Sequence, residues 1–129
     1  MFTLNFLDHV AIRVRNIELS AQWYEKVLGL KRFQPPEWKP FPIMMLAGQS
    51  GIAIFPAKTE NPENLPDGDW LVVSHFAFNI DYPDFLKAQK HLRSLKIDFT
   101  FEDHLYFHSI YLDDPDGYRV ELTTQVQKN

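Results

Sequence analysis

The sequence predicts an α+β fold made of two βαβββ modules related by pseudo-twofold symmetry. The main observation is an internal repeat, because a single gap-free shift that places His9 over His75 aligns the two halves of the chain. Three separated segments coincide under this one shift: Leu7–Ile12 with Val73–Phe78, Phe33 with Phe99, and Gly51–Phe55 with Gly117–Glu121. The second observation is that each half begins with alternating apolar residues, typical of a strand, followed by a helical pattern.

The first half reads strand, helix and three further strands. Val10, Ile12 and Val14 alternate with polar or small residues, which predicts a strand over 9–14. Asn16 is placed to cap a helix that begins at residue 17, and Gly29 is placed to end it. Further strands are predicted near 30–34, 41–47 and 52–55, and the prolines of 34–40 indicate a loop.

The second half repeats this order. A strand over 75–80 precedes a helix with Asp81 as its cap and Pro83 in its first turn. The apolar stripe of this helix consists of Phe85, Ala88, Leu92 and Leu95. Strands are predicted near 97–102, 107–112 and 118–124, with a type I turn over 114–117 closing a hairpin between the last two.

The predicted organisation is one domain over residues 1–129. Module one covers about 6–55, a proline-rich connection covers 56–73, and module two covers about 74–125. The connection is long for a compact domain, so it is either a linker, a lid or a partner contact.

Composition limits the classes of function. The net charge is −4 and no basic stripe is present, so we expect no nucleic-acid partner. No apolar run is long enough to span a membrane. The chain has no cysteine and its N-terminus lacks a signal-peptide pattern, so we expect a cytoplasmic protein in which nitrogen and oxygen atoms bind any metal.

Three side chains form a candidate metal site. The repeat pairs His9 with His75, and it pairs Glu121 with Phe55. Alternate side chains of a strand share a face, and all three candidates lie on the face opposite the apolar residues. Two imidazoles and one carboxylate are a suitable ligand set for a divalent metal.

Further candidates line the same face. Tyr111 lies approximately opposite Glu121 across the 114–117 turn, where its hydroxyl is placed to bind a substrate or donate a proton. Met45, the repeat partner of Tyr111, is predicted with Phe55 in an apolar cavity wall. The polar residues predicted in this pocket are Arg13, Asn79 and Arg119.

The chain resembles the vicinal oxygen chelate superfamily, which includes glyoxalase I, bleomycin-resistance proteins, fosfomycin-resistance enzymes and extradiol dioxygenases. Four segments carry the resemblance: Leu7–Ile12, Trp23–Leu30, Ser74–Phe78 and Tyr111–Leu122. The resemblance implies curved mixed sheets around a metal-lined cleft, usually in a homodimer. It also implies that His9, His75 and Glu121 are the metal ligands.

Departures from the family patterns narrow the expected chemistry. Glyoxalase I enzymes take a fourth ligand from the last strand of the first module, where the repeat places Phe55. The remaining two-histidine, one-carboxylate set favours Fe(II) or Mn(II), with Zn, Ni or Co as alternatives. Resemblance to extradiol dioxygenases implies a role for Tyr111 and makes His104 a candidate for their catalytic histidine.

We therefore expect a small metal-dependent enzyme that performs extradiol-dioxygenase-like chemistry on a small molecule with vicinal oxygens. One alternative is a lyase, isomerase or transferase of the glyoxalase or fosfomycin-resistance type. The other is a non-catalytic drug-binding protein of the bleomycin-resistance type, with the ligand held between aromatic side chains such as Trp38, Trp70 and Phe107.

Overall fold

The computed structural model describes residues 1–126 and contains two helices and eight strands. The strands form two four-stranded mixed sheets, which confirms the predicted α+β class. The chain divides into two compact units, residues 1–63 and a second unit that begins at Asn64. Both units have the predicted βαβββ order.

The first unit contains one helix and one sheet. Its elements are β1 (His9–Val14), α1 (Ile17–Leu28), β2 (Lys31–Phe33), a 3-10 turn (Pro36–Trp38), β3 (Ile43–Ala47) and β4 (Ser50–Pro56). The strand order is β1-β4-β3-β2, with β1 parallel to β4 and the other pairs antiparallel. The core lies between α1 and one face of this sheet, where Tyr24, Ile12, Ile43, Met45 and Ile54 are buried.

The second unit repeats this topology. Its elements are β5 (Phe76–Asn79), α2 (Tyr82–Ser94), β6 (Thr100–Asp103), β7 (Phe107–Asp113) and β8 (Arg119–Gln125). The strand order is β5-β8-β7-β6, with β5 parallel to β8. Its core contains Phe85 and Leu92 from α2, together with Ile110, Leu112 and Val120 from the sheet.

The helix ends follow from local sequence, with one difference from expectation. The Asn16 side chain accepts a hydrogen bond from the Leu19 amide, and Gly29 ends α1 with a φ of 68°. Asp81 stands at the N-cap of α2, but its side chain makes no capping hydrogen bond. The Asp81 carbonyl instead accepts from the Phe85 amide.

The turn before β8 has the predicted residue order and additional side-chain bonding. The Gly117 amide donates to the Asp114 carbonyl at 3.0 Å. The Asp114 carboxylate accepts from the amides of Asp116 and Tyr118, which explains why this buried acidic residue is tolerated. Gly117 has a φ of 89°, a conformation that glycine adopts without steric cost.

Residues 57–75 contain no helix or strand. Several large apolar side chains are exposed in this stretch, among them Leu65, Trp70, Leu71, Val72 and Val73. The Arg15 guanidinium donates to the Pro62 carbonyl in the first unit, and the Asn64 side chain donates to the Asp116 carbonyl in the second. Neither helix of the described residues is long and apolar enough to cross a bilayer.

Candidate metal and proton-transfer site

The second unit brings His75 and Glu121 into contact. Glu121 lies on β8 in register with Ala77 of β5, and His75 immediately precedes that strand. His75 Nε2 lies 3.0 Å from Glu121 Oε1, and the Ser74 hydroxyl bonds the other ring nitrogen at 2.9 Å. Glu121 is 8% exposed, so its carboxylate is held in a largely desolvated position beside an imidazole.

Tyr111 stands beside this pair. It lies directly opposite Glu121 in the antiparallel register of β7 and β8, and its ring meets the His75 ring edge-on at 5.7 Å. Burial raises the pKa of the Tyr111 hydroxyl, the nearby carboxylates of Glu121 and Glu102 raise it further, and a hydrogen bond with Ser109 opposes them. The Tyr111 hydroxyl therefore keeps its proton at neutral pH.

His104 also reaches this tyrosine. His104 Nε2 lies 3.0 Å from the Tyr111 hydroxyl, and Glu102 Oε2 lies 3.5 Å from the same nitrogen. The hairpin between β6 and β7 positions the imidazole, because the His104 amide donates to the Phe107 carbonyl. An imidazole in contact with a phenol is an arrangement that can transfer protons.

The donor atoms of His75 and Glu121 suit a divalent metal, but these two residues do not form a complete site by themselves. No group of three or more histidine, aspartate or glutamate side chains with metal-holding geometry occurs within residues 1–126. His9 belongs to the first unit, where its Nδ1 lies 2.7 Å from the Asp8 carboxylate. The three-ligand site with His9 stays a prediction.

Two predicted pocket residues of the first unit contact each other. The Arg13 guanidinium packs 5.7 Å from the centre of the Phe55 ring. It also donates a hydrogen bond to the Pro56 carbonyl at 2.9 Å.

The predicted polar residues of the second unit lie apart from each other. The Arg119 guanidinium lies 5.6 Å from the centre of the Tyr111 ring, and its Nε is 3.6 Å from Asp113. Asn79 is exposed on β5, in register with Thr123. Of the two, Arg119 is therefore the one in contact with Tyr111.

The prediction for Met45 is wrong. Met45 is fully buried and lies in register with Ile52, on the face of the sheet that packs against α1. Met44 lies on the opposite face, where it is in register with Ala53. Met44 is therefore the structural counterpart of Tyr111, one position earlier in the chain than the repeat implies.

The counterpart of Glu121 also differs from the prediction. Ala11 is in register with Ala53, as Ala77 is with Glu121, so Ala53 and not Phe55 is equivalent to Glu121. The equivalent residues of the two units are further apart in sequence here than at His9 and His75, for two reasons. The segment between β5 and β6 has one residue more than that between β1 and β2, and the β7–β8 hairpin has one residue more than the β3–β4 hairpin. Alanine has no donor atom, so this strand position supplies no fourth ligand.

Sequence reasoning missed Glu102 and two aromatic residues. Glu102 lies in register with Ser109 and thus on the face of Tyr111, a pairing that depends on the length of the turn between β6 and β7. The aromatic residues are Phe33, which meets Trp38 edge-on, and Phe41, which meets Phe55 in the same way. Their proximity depends on the 34–42 connection, whose path the sequence pattern does not predict.

Comparisons with known proteins agree with this architecture. The family model of the Glyoxalase/Bleomycin resistance protein/Dioxygenase superfamily matches residues 6–122, so the chain belongs to this superfamily. A glyoxalase/dioxygenase from Nostoc punctiforme has a similar structure, with a TM-score of 0.79, 20% identity and coverage of 95% of this chain and 92% of that chain.

Two further proteins are similar. A glyoxylase/bleomycin resistance protein/dioxygenase domain from Frankia sp. EAN1pec has a TM-score of 0.78 at 18% identity, covering 98% of this chain and 96% of that chain. The Arabidopsis thaliana protein named Glyoxylase I 4 is 29% identical over 128 residues, which cover 92% of this chain and 70% of that protein.

Proposed function

We propose that this protein is a divalent-metal-dependent enzyme with extradiol-dioxygenase-like activity on a small molecule that carries two adjacent oxygen atoms. The observation that carries the proposal is the contact of His104 with Tyr111 at 3.0 Å, beside a His75–Glu121 pair whose closest atoms are also 3.0 Å apart. Metal donors and a proton-transfer pair within one unit are what such an enzyme requires.

His9, His75 and Glu121 are the proposed metal ligands. The donor set fits, because an imidazole nitrogen and a nearly buried carboxylate oxygen of the second unit already approach each other. Fe(II) or Mn(II) is the expected ion, since two imidazoles and one carboxylate with open positions suit these metals. When bound, the metal would supply Lewis acidity and a template for two substrate oxygens.

Tyr111 and His104 would transfer protons to and from the substrate. The raised pKa of Tyr111 keeps its hydroxyl protonated, so it is able to donate a hydrogen bond or a proton to a substrate oxygen. His104 Nε2 would return or accept this proton, and the Glu102 carboxylate would stabilise the imidazole when it is charged.

The second candidate function is a glyoxalase-type lyase or isomerase. The name of the Arabidopsis relative, Glyoxylase I 4, favours it. The lack of a donor side chain at Ala53 counts against a four-ligand site of the glyoxalase I type. A transferase and a metal-free binding protein remain as further alternatives.

The proposal includes a homodimer in the cytoplasm. The usual assembly of the superfamily that the sequence resembles supports the dimer. The lack of cysteine is consistent with the cytoplasm. Each metal site would be completed either within one chain or by His9 of a partner copy.

Anaerobic metal loading followed by an assay of oxygen uptake tests the proposed activity. We expect about one Fe(II) or Mn(II) per chain and oxygen consumption on addition of catechols, because a single His/His/Glu set binds one ion. Glu121→Gln should remove both properties. His91→Gln, a change in an exposed histidine of α2, is the matched control and should retain both.

Three results would contradict the proposed activity or its ligand assignment. Metal binding without oxygen uptake, but with formation of lactoylglutathione from glutathione and methylglyoxal, would favour the second candidate. Failure to retain any of Fe, Mn, Zn, Ni or Co would contradict both enzyme proposals and favour the binding protein. Retention of the metal by Glu121→Gln would contradict the ligand assignment.

A further inference from the structure

The residue before each proposed histidine ligand bonds the same ring nitrogen in both units. Asp8 Oδ1 lies 2.7 Å from His9 Nδ1, and the Ser74 hydroxyl lies 2.9 Å from His75 Nδ1. His9 begins β1, and His75 directly precedes β5. Asp8 and Ser74 also coincide under the internal repeat. The two units therefore share this contact but not the type of side chain that makes it.

The contact in the first unit fixes which nitrogen of His9 carries the proton. An ionised carboxylate can only accept a hydrogen bond, so Nδ1 of His9 must donate to Asp8. A neutral imidazole has one ring proton, which leaves the free lone pair on Nε2. The Asp8 carbonyl accepts from the Gly51 amide at 3.1 Å, which holds Asp8 in place beside the sheet.

Folding stability alone does not account for this contact. The side chains of Asp8 and His9 are 72% and 45% exposed, so water is able to solvate both of them without the bond. Exposed pairs of this kind contribute little to stability. A bond that orients an imidazole, by contrast, determines which ring nitrogen is available to another ligand and how strongly it binds.

In the second unit, His75 has two arrangements that Ser74 is able to satisfy. Glu121 Oε1 lies 3.0 Å from His75 Nε2, and this carboxylate is nearly buried. With Glu121 as the acceptor, Nε2 carries the proton and Nδ1 accepts from the Ser74 hydroxyl. With Nε2 bound to a metal, the ring proton sits on Nδ1 and Ser74 accepts it. A hydroxyl both donates and accepts, so the ring keeps one proton and a bonded Nδ1 throughout.

We infer that Asp8 and Ser74 are positioning residues that set the tautomers of His9 and His75. Asp8 holds His9 with an unprotonated Nε2, whereas Ser74 allows Nε2 of His75 to exchange between Glu121 and a metal. The part of the inference that concerns a metal rests on the proposed function, which makes both histidines ligands. The inference goes beyond that proposal, because it assigns opposite tautomers to the two histidines of the metal-free protein.

Heteronuclear NMR of the imidazole nitrogens in metal-free protein tests the tautomers without any metal. The spectrum distinguishes a nitrogen that carries a proton from one with a lone pair, and His9→Gln and His75→Gln assign the signals. At about pH 8, above the ordinary imidazole pKa, we expect Nδ1–H for His9 and Nε2–H for His75. Asp8→Ala should move His9 toward the Nε2–H form and leave His75 unchanged.

Titration with Mn(II) measures what the same contacts contribute to metal binding. Asp8→Ala and Ser74→Ala should each weaken Mn(II) binding roughly tenfold, since each removes the group that orients a histidine ligand. Ser74→Thr keeps the hydroxyl and should bind nearly as tightly as the wild type. The matched controls are Asp98→Ala and Ser94→Ala, which remove an exposed carboxylate and an exposed hydroxyl of the second unit and should bind as the wild type does.

The inference is overturned if the two histidines have the same tautomer, or if either ring carries two protons at this pH. A His9 spectrum that Asp8→Ala leaves unchanged, with circular dichroism showing that the variant folds, would also overturn it. Equal Mn(II) affinity of Ser74→Ala and the wild type would contradict the role of Ser74. Wild-type protein that shows the expected tautomers but binds no metal would support the tautomer assignment and contradict the proposed function, so the two failures are distinguishable.

Discussion

At the scale of single residues, Tyr111 is in contact with several of the candidate functional groups. It faces Glu121 across the β7–β8 ladder, meets the His75 ring and bonds His104. Its position opposite Glu121 was predictable from the sequence, because a hairpin turn fixes which residues face each other. The contact with His104 was not predictable, because it depends on how the Asp103 carboxylate bonds the Leu105 amide in the preceding hairpin.

We expect Tyr111→Phe to reduce turnover about 100-fold while the protein stays folded, because it removes only the hydroxyl that handles the proton. The measurement is kcat on the metal-loaded enzyme, with urea unfolding as the check on stability. Tyr106→Phe is the control, since Tyr106 is an exposed tyrosine of the neighbouring hairpin. Turnover within twofold of the wild type would show that the hydroxyl has no role in the reaction.

At the scale of elements, an ion-pair network attaches α1 to β2. Arg32 donates to both carboxylate oxygens of Glu18 and to Glu25, each at 2.9 Å. The hydrogen bonds from Arg32 are the main reason that the pKa of Glu18 is lowered. A bidentate contact of this kind is worth more than an ordinary surface ion pair, although both glutamates are solvent-exposed.

We expect Glu18→Gln to lower the free energy of unfolding at pH 7 by about 0.5–1 kcal/mol, a value limited by solvent screening. Because the folded-state pKa is lowered, the charged form stabilises the protein above the ordinary glutamate pKa, and this stabilisation is lost as the pH falls through the folded value. The wild-type and variant proteins should therefore converge in acid.

Urea unfolding at a series of pH values measures this difference. Glu60→Gln, in the exposed stretch after β4, is the control and should match the wild type at each pH. A difference between Glu18→Gln and the wild type that stays constant down to pH 3 would contradict the role of the Glu18 charge.

The existence and type of the elements were predictable, whereas the register of the sheets was only partly so. The alternation of apolar residues correctly predicted which face of β1 packs against the helix and which face lies opposite. This alternation depends only on which side chains are buried. The equivalence of the later strands depends on the lengths of the connections, and the segment between β5 and β6 has one residue more than that between β1 and β2. One residue reverses the face of a side chain, which is why the prediction for Met45 failed.

At the scale of the whole molecule, the duplication gives each half the same topology but different chemistry. The second unit has Glu121 and Tyr111 where the first has Ala53 and Met44. At these two equivalent positions the second sheet therefore has polar side chains and the first has apolar ones. The repeat in the sequence already indicates this difference at both positions, although its gap-free register pairs Tyr111 with Met45 and Glu121 with Phe55 instead of with Met44 and Ala53.

We expect Mn(II) to raise the unfolding temperature of the wild type by about 10 °C when the metal is at about 100 times its Kd, since a ligand that binds only the folded state stabilises it. Calorimetry on wild type, His9→Gln and Glu121→Gln measures the shift, with His91→Gln as the control. Both ligand variants should lose most of it. A full shift in His9→Gln would show that the second unit binds the metal without the first.

The contact between His75 and Glu121 has an evolutionary consequence. Replacing His75 alone would leave a nearly buried carboxylate without its imidazole, which is more destabilising than replacing both residues by apolar ones of similar volume. A lineage that lost both His75 and Glu121 would pass through a less stable protein with one of the two replaced, unless both codons changed together. The pair is thus expected to be inherited or lost as a unit, even in lineages where selection for activity has ceased.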